Sequence, residues 1–227
     1  MKTIIKNARI ITPYEILQGH VLLIEGRTIA GIHPQGNIAE EGFDEVVDVK
    51  GHYLSPGFID LHNHGNSGHD TMESTFEALD SMAKFHAKNG VTGFLATTMT
   101  ASIEDTLTAI HNTADYMDTQ KITSERAQVL GMYLEGPYFN ANKKGAQPEE
   151  HLKNPALEET RRFIEASGAN VRIVSMAPEL PGAMEVISYL RSQGITVSAG
   201  HTDASFEVMR EGIHRGITQV THLFNGM

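Results

Sequence analysis

Apolar residues form short clusters along the first fifty residues, and no helical period links them. The apolar runs at 21–24 and 29–32 flank a polar turn at 25–27. Two apolar runs joined by so short a turn are typical of a β-hairpin. Further β-rich runs occur at 4–11 and 46–49. The pattern therefore predicts a small β unit at the start of the chain.

From residue 56 onward, continuous apolar runs alternate with amphipathic stretches. Such runs predict strands that are buried on both faces, and the stretches between them have the spacing of amphipathic helices. The predicted strands cover 57–61, 91–98, 127–134, 171–177, 195–199 and 219–223. The predicted helices cover 73–89, 102–118, 156–167, 182–193 and 203–215. This repetition predicts an α/β fold with parallel strands and right-handed crossovers.

Six strands fit either an open sheet or part of a (β/α)8 TIM-type barrel. A whole barrel takes about 250 residues, or roughly 30 for each strand–helix unit. By that measure, the second part of the chain holds about six of the eight units. We therefore predict two domains, a β unit at 1–53 and a (β/α) barrel, incomplete at its C-terminal end, at 54–227.

Side chains that can bind metals follow four of the predicted strands. His62 and His64 are spaced by one residue, which places both imidazoles on one face of an extended strand. Glu135, His201 and His222 each come at the carboxyl end of another strand, where α/β barrels form their sites. A lone Glu or His there is more often a cap or a packed polar residue. Four such strand ends together favour a site for a divalent metal ion.

Other histidines have plainer interpretations. His86, His111 and His214 fall in predicted helices and are expected on their surfaces. His69 and Asp70 follow the His-x-His loop and are not expected to be ligands.

Composition narrows the chemistry and the partners. The chain has 227 residues and no Cys, and its 18 Lys+Arg against 28 Asp+Glu give a net charge of −10. The lack of Cys excludes thiolate ligands and a cysteine nucleophile, and the acidic balance argues against binding of nucleic acid. No apolar run reaches the roughly 20 residues that cross a bilayer, and the first residues lack a secretory signal. We therefore expect a cytoplasmic protein without a membrane partner.

The chain contains five characteristic segments in this order: His62-Asn63-His64-Gly65, Tyr133-Leu134-Glu135-Gly136-Pro137, Lys144-Gly145-Ala146, Gly200-His201-Thr202-Asp203 and Thr221-His222-Leu223-Phe224-Asn225-Gly226-Met227. Together they resemble the N-acetylglucosamine-6-phosphate deacetylases of the amidohydrolase superfamily. The His-x-His element alone would indicate only the superfamily. The Leu-Glu-Gly-Pro and Thr-His-Leu-Phe-Asn elements together are specific to these deacetylases.

The resemblance implies a metal-dependent barrel with a small β-sandwich built from both chain ends. It implies that Glu135, His201 and His222 bind the main ion. Members with an intact His-x-His hold a second ion, here through His62 and His64 with Glu135 as the bridge, and members without it use one ion. The implied cofactor is thus one or two divalent ions per chain, with Zn²⁺ favoured over Fe²⁺, Mn²⁺ or Co²⁺.

The same resemblance implies a substrate and a reaction. N-acetylglucosamine 6-phosphate would be hydrolysed to glucosamine 6-phosphate and acetate. Ala146, Asn225 and Gly226 match positions near the sugar phosphate, and Gln147 stands in the same segment where the family often has His. Family members are commonly homodimers, so a homodimer is expected for the full-length protein.

The catalytic Asp of the family has no counterpart in these residues and is expected beyond the position of Met227. We therefore expect an N-terminal portion of a longer enzyme, which as given binds a divalent ion but hydrolyses the substrate negligibly. Two alternatives stay open. One is another amidohydrolase of the dihydroorotase-like or deaminase-like kind, and the other is a non-catalytic fragment that binds metal or sugar phosphate.

Overall fold

The computed structural model describes all 227 residues, and the chain separates into the units Met1–Gly57 and Phe58–Met227. No helix combines the length and the apolar character that crossing a membrane requires.

The unit Met1–Gly57 is a five-stranded sheet. Its strands are β1 (Lys2–Ile11), β2 (Ile16–Glu25), β3 (Thr28–Pro34), β4 (Glu45–Asp48) and β5 (Tyr53–Leu54), with a 3-10 turn at Gln35–Asn37. The strand order is β3-β2-β1-β4, and β5 also pairs with β1. The predicted hairpin is confirmed, because β2 and β3 pair in antiparallel fashion across a turn at Gly26, whose φ of 62° suits glycine.

The unit Phe58–Met227 alternates strands and helices. Its strands are β6 (Phe58–Asn63), β7 (Gly65–Asn66), β8 (His69–Asp70), β9 (Val91–Thr98), β10 (Gln128–Glu135), β11 (Val171–Met176), β12 (Thr196–Ala199) and β13 (Ile217–Val220). Its helices are α1 (Phe76–Lys88), α2 (Ile103–Thr119), α3 (Leu157–Ala166), α4 (Ala183–Ser192) and α5 (Phe206–Arg215). Short 3-10 turns occur at Thr71–Glu73, Ala141–Lys143 and Glu149–His151.

Six of these strands form one parallel sheet in the order β6-β9-β10-β11-β12-β13, while β7 and β8 make a separate two-stranded ribbon. Each long helix connects two neighbouring strands of the sheet. The predicted α/β class, a partial barrel of the TIM type preceded by a β unit, is confirmed. Because all six strands are parallel, their carboxyl ends lie at the same edge of the sheet.

The main core of this unit lies between the sheet and its helices. Ile187 and Leu190 of α4 are fully buried in one cluster with Val174 of β11 and Val197 of β12. The buried helical residues are three positions apart, and the strand residues are buried on both faces of the sheet. These two spacings are the ones from which the sequence pattern predicted the helices and strands.

The structure corrects three of the expectations. The last strand ends at Val220, so His222 lies in the loop beyond it, where its φ of 31° is incompatible with a strand. His86 is 4% exposed rather than on the surface, because it lies on the inner face of α1 and packs against Phe94. Strand β6 is not buried on both faces, since it pairs only with β9 and leaves Phe58 73% exposed.

Candidate metal centre

Five side chains meet at the carboxyl-terminal edge of the parallel sheet. Glu135 is the last residue of β10 and is 1% exposed. His62 belongs to β6 and His64 follows that strand, while His201 and His222 come in the loops after β12 and β13. The structure thus brings together all five residues that the sequence nominates as metal ligands.

The carboxylate of Glu135 faces two pairs of imidazoles, one with each oxygen. Its Oε2 lies 3.3 Å from His62 Nε2 and 2.7 Å from His64 Nε2, and these two nitrogens are 3.3 Å apart. Its Oε1 lies 3.4 Å from His201 Nε2 and 3.2 Å from His222 Nε2, which are 3.1 Å apart. The geometry is that of a carboxylate shared between two ligand groups.

The separations of these atoms suit a tetrahedral metal ion. Nitrogen and oxygen ligands placed about 2.1 Å from such an ion lie about 3.4 Å from one another. Five of the six separations within the two groups are between 3.1 and 3.4 Å. The donor set of imidazole nitrogen and carboxylate oxygen also matches what zinc and similar ions prefer.

Backbone carbonyls fix the tautomers of two histidines. His201 Nδ1 lies 2.9 Å from the carbonyl oxygen of Lys143, and His222 Nδ1 lies 2.7 Å from that of Asn225. A carbonyl oxygen only accepts, so each Nδ1 carries a proton, and whenever the ring is neutral its Nε2 offers a lone pair to a cation. The two Nε2 atoms and the Oε1 atom of Glu135 face one another, so a cation placed among them would find three ligands. The Nδ1 atom of His64, by contrast, is buried without a partner.

The surroundings of Glu135 favour the ionised form of its carboxylate. Burial opposes its charge, but hydrogen bonds from His201, His62 and His64 outweigh burial and hold the pKa of Glu135 far below its usual value. For His64, burial likewise favours the neutral ring. The hydrogen bond and charge of Glu135 overcome this and raise the pKa of His64 above its usual value.

Two of the histidines occupy backbone conformations that are rare for residues other than glycine. His201 has a φ of 49° and His222 a φ of 31°. Such conformations cluster at functional sites and persist only where the surrounding structure enforces them. Each histidine lies two residues after the end of its strand, where the chain turns toward Glu135.

A buried cluster of hydroxyl groups anchors the residue before His222. The hydroxyls of Tyr133, Ser175 and Ser198 lie 2.7, 2.8 and 2.7 Å from Thr221 Oγ1. These four side chains are at most 2% exposed. Because a buried hydroxyl without partners is unfavourable, this network fixes where the loop after β13 begins.

The centre opens into a cavity of about 690 Å³. Besides the five ligand candidates, Met99, Ala146 and Gln147 line it. The side-chain oxygen of Gln147 accepts the backbone N–H of Thr100 at 3.0 Å, and its amide nitrogen lies 3.3 Å from Glu135 Oε2. Gln147 therefore contacts the carboxylate of Glu135 itself.

The other residues nominated for substrate contact lie beside the histidines. The carbonyl oxygen of Asn225 is occupied by His222, and that of Gly226 accepts the backbone N–H of Thr202 at 3.1 Å. His69 is not part of the centre, because its Nδ1 lies 3.1 Å from Glu73.

Sequence reasoning missed Glu179, which contacts one of the loops of the centre. Glu179 follows β11, a strand whose end carries no candidate ligand, and its carboxylate contacts the loop that holds His201. A signal was present in the sequence, since Glu179 comes three residues after a buried strand, as expected for a side chain at the same edge of the sheet.

The chain is similar to proteins of known family. The model of the amidohydrolase family matches residues 53–227. The N-acetylglucosamine-6-phosphate deacetylase of Lysinibacillus sphaericus is 37% identical over 191 residues, which cover 84% of this chain and 48% of the relative. The N-acetylgalactosamine-6-phosphate deacetylase of Escherichia coli O157:H7 is 34% identical, covering 100% of this chain and 58% of the relative.

A solved structure of the same kind of deacetylase has a similar fold. The crystal structure of N-acetylglucosamine-6-phosphate deacetylase from Pasteurella multocida superposes with a TM-score of 0.89 at 30% identity, and covers 100% of this chain and 58% of its own. The chain spans about half the length of the curated relatives it matches.

Proposed function

Because this chain belongs to the amidohydrolase family, we propose that it carries the metal centre of a deacetylase for N-acetylglucosamine 6-phosphate. The products would be glucosamine 6-phosphate and acetate. The observation that carries the proposal is the buried Glu135, each of whose oxygens faces two imidazole nitrogens. The names of the similar proteins support the amino-sugar phosphate as substrate.

The proposed cofactor is one or two divalent ions. Zn²⁺ is the first candidate, and the same nitrogen and oxygen donors also suit Fe²⁺, Mn²⁺ or Co²⁺. The first ion is assigned to Glu135, His201 and His222, because the tautomers of both histidines are already set for binding. The second is assigned to the Oε2 atom of Glu135 with His62 and His64. When bound, such an ion polarises an amide carbonyl and activates water.

The residues of this chain hold the ions but do not supply every proton transfer. Hydrolysis of an amide needs a group that takes a proton from water and gives it to the leaving amine. Both oxygens of Glu135 are engaged by imidazoles, and no other carboxylate lines the cavity. The family's catalytic Asp, expected beyond Met227, stays a prediction.

The chain of 227 residues should therefore bind metal and release acetate negligibly. Acetate release from N-acetylglucosamine 6-phosphate is to be measured for this chain and for the longest polypeptide that its gene encodes, each loaded with Zn²⁺. Turnover by the 227-residue chain at a rate typical of enzymes would contradict the assignment of Glu135 as a ligand only. Absence of turnover in the longest polypeptide with Zn²⁺, Fe²⁺, Mn²⁺ and Co²⁺ would refute the deacetylase proposal.

One second candidate substrate has specific support, because a relative of 34% identity is named for the galactosamine epimer. The same assay with N-acetylgalactosamine 6-phosphate separates the two sugars. Ala146, Gln147, Asn225 and Gly226 are proposed to contact the sugar phosphate. We also propose that the whole protein is a homodimer and is located in the cytoplasm.

A further inference from the structure

The carboxylate of Glu179 joins three of the loops at the metal-binding edge of the sheet. Glu179 lies after β11, and its Oε1 accepts the backbone N–H of Asp203 at 2.8 Å and the side-chain amide of Asn140 at 3.0 Å. Its Oε2 accepts the hydroxyl of Thr202 at 2.5 Å. Asn140 belongs to the loop after β10, and the other two partners belong to the loop after β12.

All of these contacts surround His201. The backbone N–H of Asn140 donates to the carbonyl oxygen of His201 at 3.0 Å, and Thr202 is the next residue along the chain. The same loop after β10 supplies the carbonyl of Lys143, which holds His201 Nδ1. The ring of Phe139 packs on the imidazole, with centroids 4.4 Å apart. Both the backbone and the ring of His201 thus depend on how these loops are joined.

His201 needs such support because its φ of 49° is sparsely populated by residues other than glycine. A conformation of this kind persists only when neighbouring contacts over-determine it. Glu179 binds the loops on both sides of His201, and an ion pair of 3.3 Å between Lys143 and Asp203 also joins these two loops. A carboxylate accepts the three hydrogen bonds with two oxygens, whereas an amide of the same size has a single accepting oxygen.

We propose that Glu179 is a positioning residue that holds His201 in the orientation needed to bind the ion. It does not line the cavity, so it acts through His201 and not on substrate. The inference rests on the proposed metal centre.

The test is a titration of the 227-residue chain with Co²⁺, whose visible absorption reports the ligand geometry. Glu179→Gln should lower the affinity of the site that includes His201 by about 10- to 100-fold, the usual effect of losing a group that orients a metal ligand. The Co²⁺ spectrum should change, while far-UV circular dichroism stays that of the parent. Glu165→Gln, at an exposed position of α3 without side-chain contacts, is the matched control.

A double-mutant cycle distinguishes positioning from a general structural effect. In a His201→Ala background, Glu179→Gln should cause no further loss of Co²⁺ affinity, because its target is gone. Thr202→Val removes the contact to Oε2 together with the hydrogen bond that the hydroxyl accepts from the backbone N–H of Ala204, but it leaves both bonds to Oε1, so it should give a smaller loss in the parent background. It also keeps the idea testable if Glu179→Gln disturbs folding.

The possible failures are distinct. An equal loss of affinity in both backgrounds, or no loss in the parent, would overturn the role given to Glu179. If His201→Ala itself left Co²⁺ binding unchanged, the metal centre would be wrong and the proposed function would fail with it.

Discussion

At the residue scale, Glu135 is the only side chain shared by both ligand groups. Glu135→Gln replaces one oxygen by an NH₂ group, which cannot bind a cation. The variant should therefore lose at least one of two ions, and the affinity for the remaining ion should also fall. Metal content after dialysis, measured by elemental analysis, checks this against the parent and against Glu165→Gln. Retention of the parent metal content would show that the carboxylate is not a bridge.

Gln147 makes a second prediction at this scale. Gln147→Leu removes the amide N–H that faces Glu135 and the oxygen that accepts the N–H of Thr100. An unsatisfied buried N–H costs about 1–3 kcal/mol, so urea unfolding should show a loss of that size. The affinity for metal should fall mainly at the group that contains His62 and His64, because Gln147 contacts the Oε2 atom of Glu135, which belongs to that group.

Gln147→His is the informative comparison, since His is the residue that the family often has here. It restores a donor toward Glu135 and should recover part of the lost affinity. If Gln147→Leu bound both ions as the parent does, the contact with Glu135 would be incidental and only the proposed substrate role would remain.

At the element scale, an ion pair fastens α1 to the segment that leads into β10. Asp80 of α1 lies 2.5 Å from Arg126, and the hydrogen bond from this guanidinium holds the pKa of Asp80 below its ordinary value of 3.8. A lowered pKa in the folded state means that the pair stabilises the fold above pH about 4 and that this contribution is lost as the pH falls through the lowered value.

Asp80→Asn should therefore reduce the urea midpoint slightly at pH 7, and its difference from the parent should shrink as the pH falls through the lowered pKa of Asp80. The effect is small because both side chains are partly exposed. Asp115→Asn, at an exposed position of α2, serves as the control. An Asp80→Asn difference that did not shrink on acidification would show that the lost stability does not come from the ionised pair.

The elements could be predicted because their signals are local. The strand Val91–Thr98 has the bounds that its apolar run predicts, and the five helices follow from amphipathic spacing. The error at His222 arose because its apolar neighbour Leu223 extended the run, whereas backbone contacts in the loop decide where β13 ends. The error at His86 arose because a histidine was taken as polar, although it continues the buried face formed by Leu79 and Met82.

The candidate site could be predicted only in part, for a related reason. Ligand candidates at strand ends are visible in sequence, because parallel strands bring their carboxyl ends to the same edge. The contacts that orient them join distant residues. Gln147 reaches Thr100 across 47 positions, and Glu179 reaches Thr202 across 23. No local pattern carries such pairings.

At the scale of the whole molecule, metal binding and folding stability are linked. All five ligand candidates lie in the unit Phe58–Met227 and come from four separate strands or their loops, so the unfolded chain cannot offer the same site. An ion that binds only the folded state stabilises it by about 2.7 kcal/mol when its free concentration is 100 times its dissociation constant. Zn²⁺ should therefore raise the melting temperature of the chain, and EDTA should reverse the increase.

The size of this stabilisation should depend on pH, because imidazoles bind a metal only when they are unprotonated. The pKa of His64 is raised by Glu135, so in the metal-free protein the protonated ring itself stabilises the fold at low pH, and this contribution disappears as the pH rises through the raised value. The ion must displace that proton. The increase in melting temperature caused by Zn²⁺ should therefore be largest near pH 8 and should fade toward pH 5, as followed by circular dichroism. In His64→Ala, the remaining increase should come from the ion at His201 and His222. A Zn²⁺ effect that was the same at pH 5 and pH 8 would mean that the ion binds elsewhere than at these imidazoles.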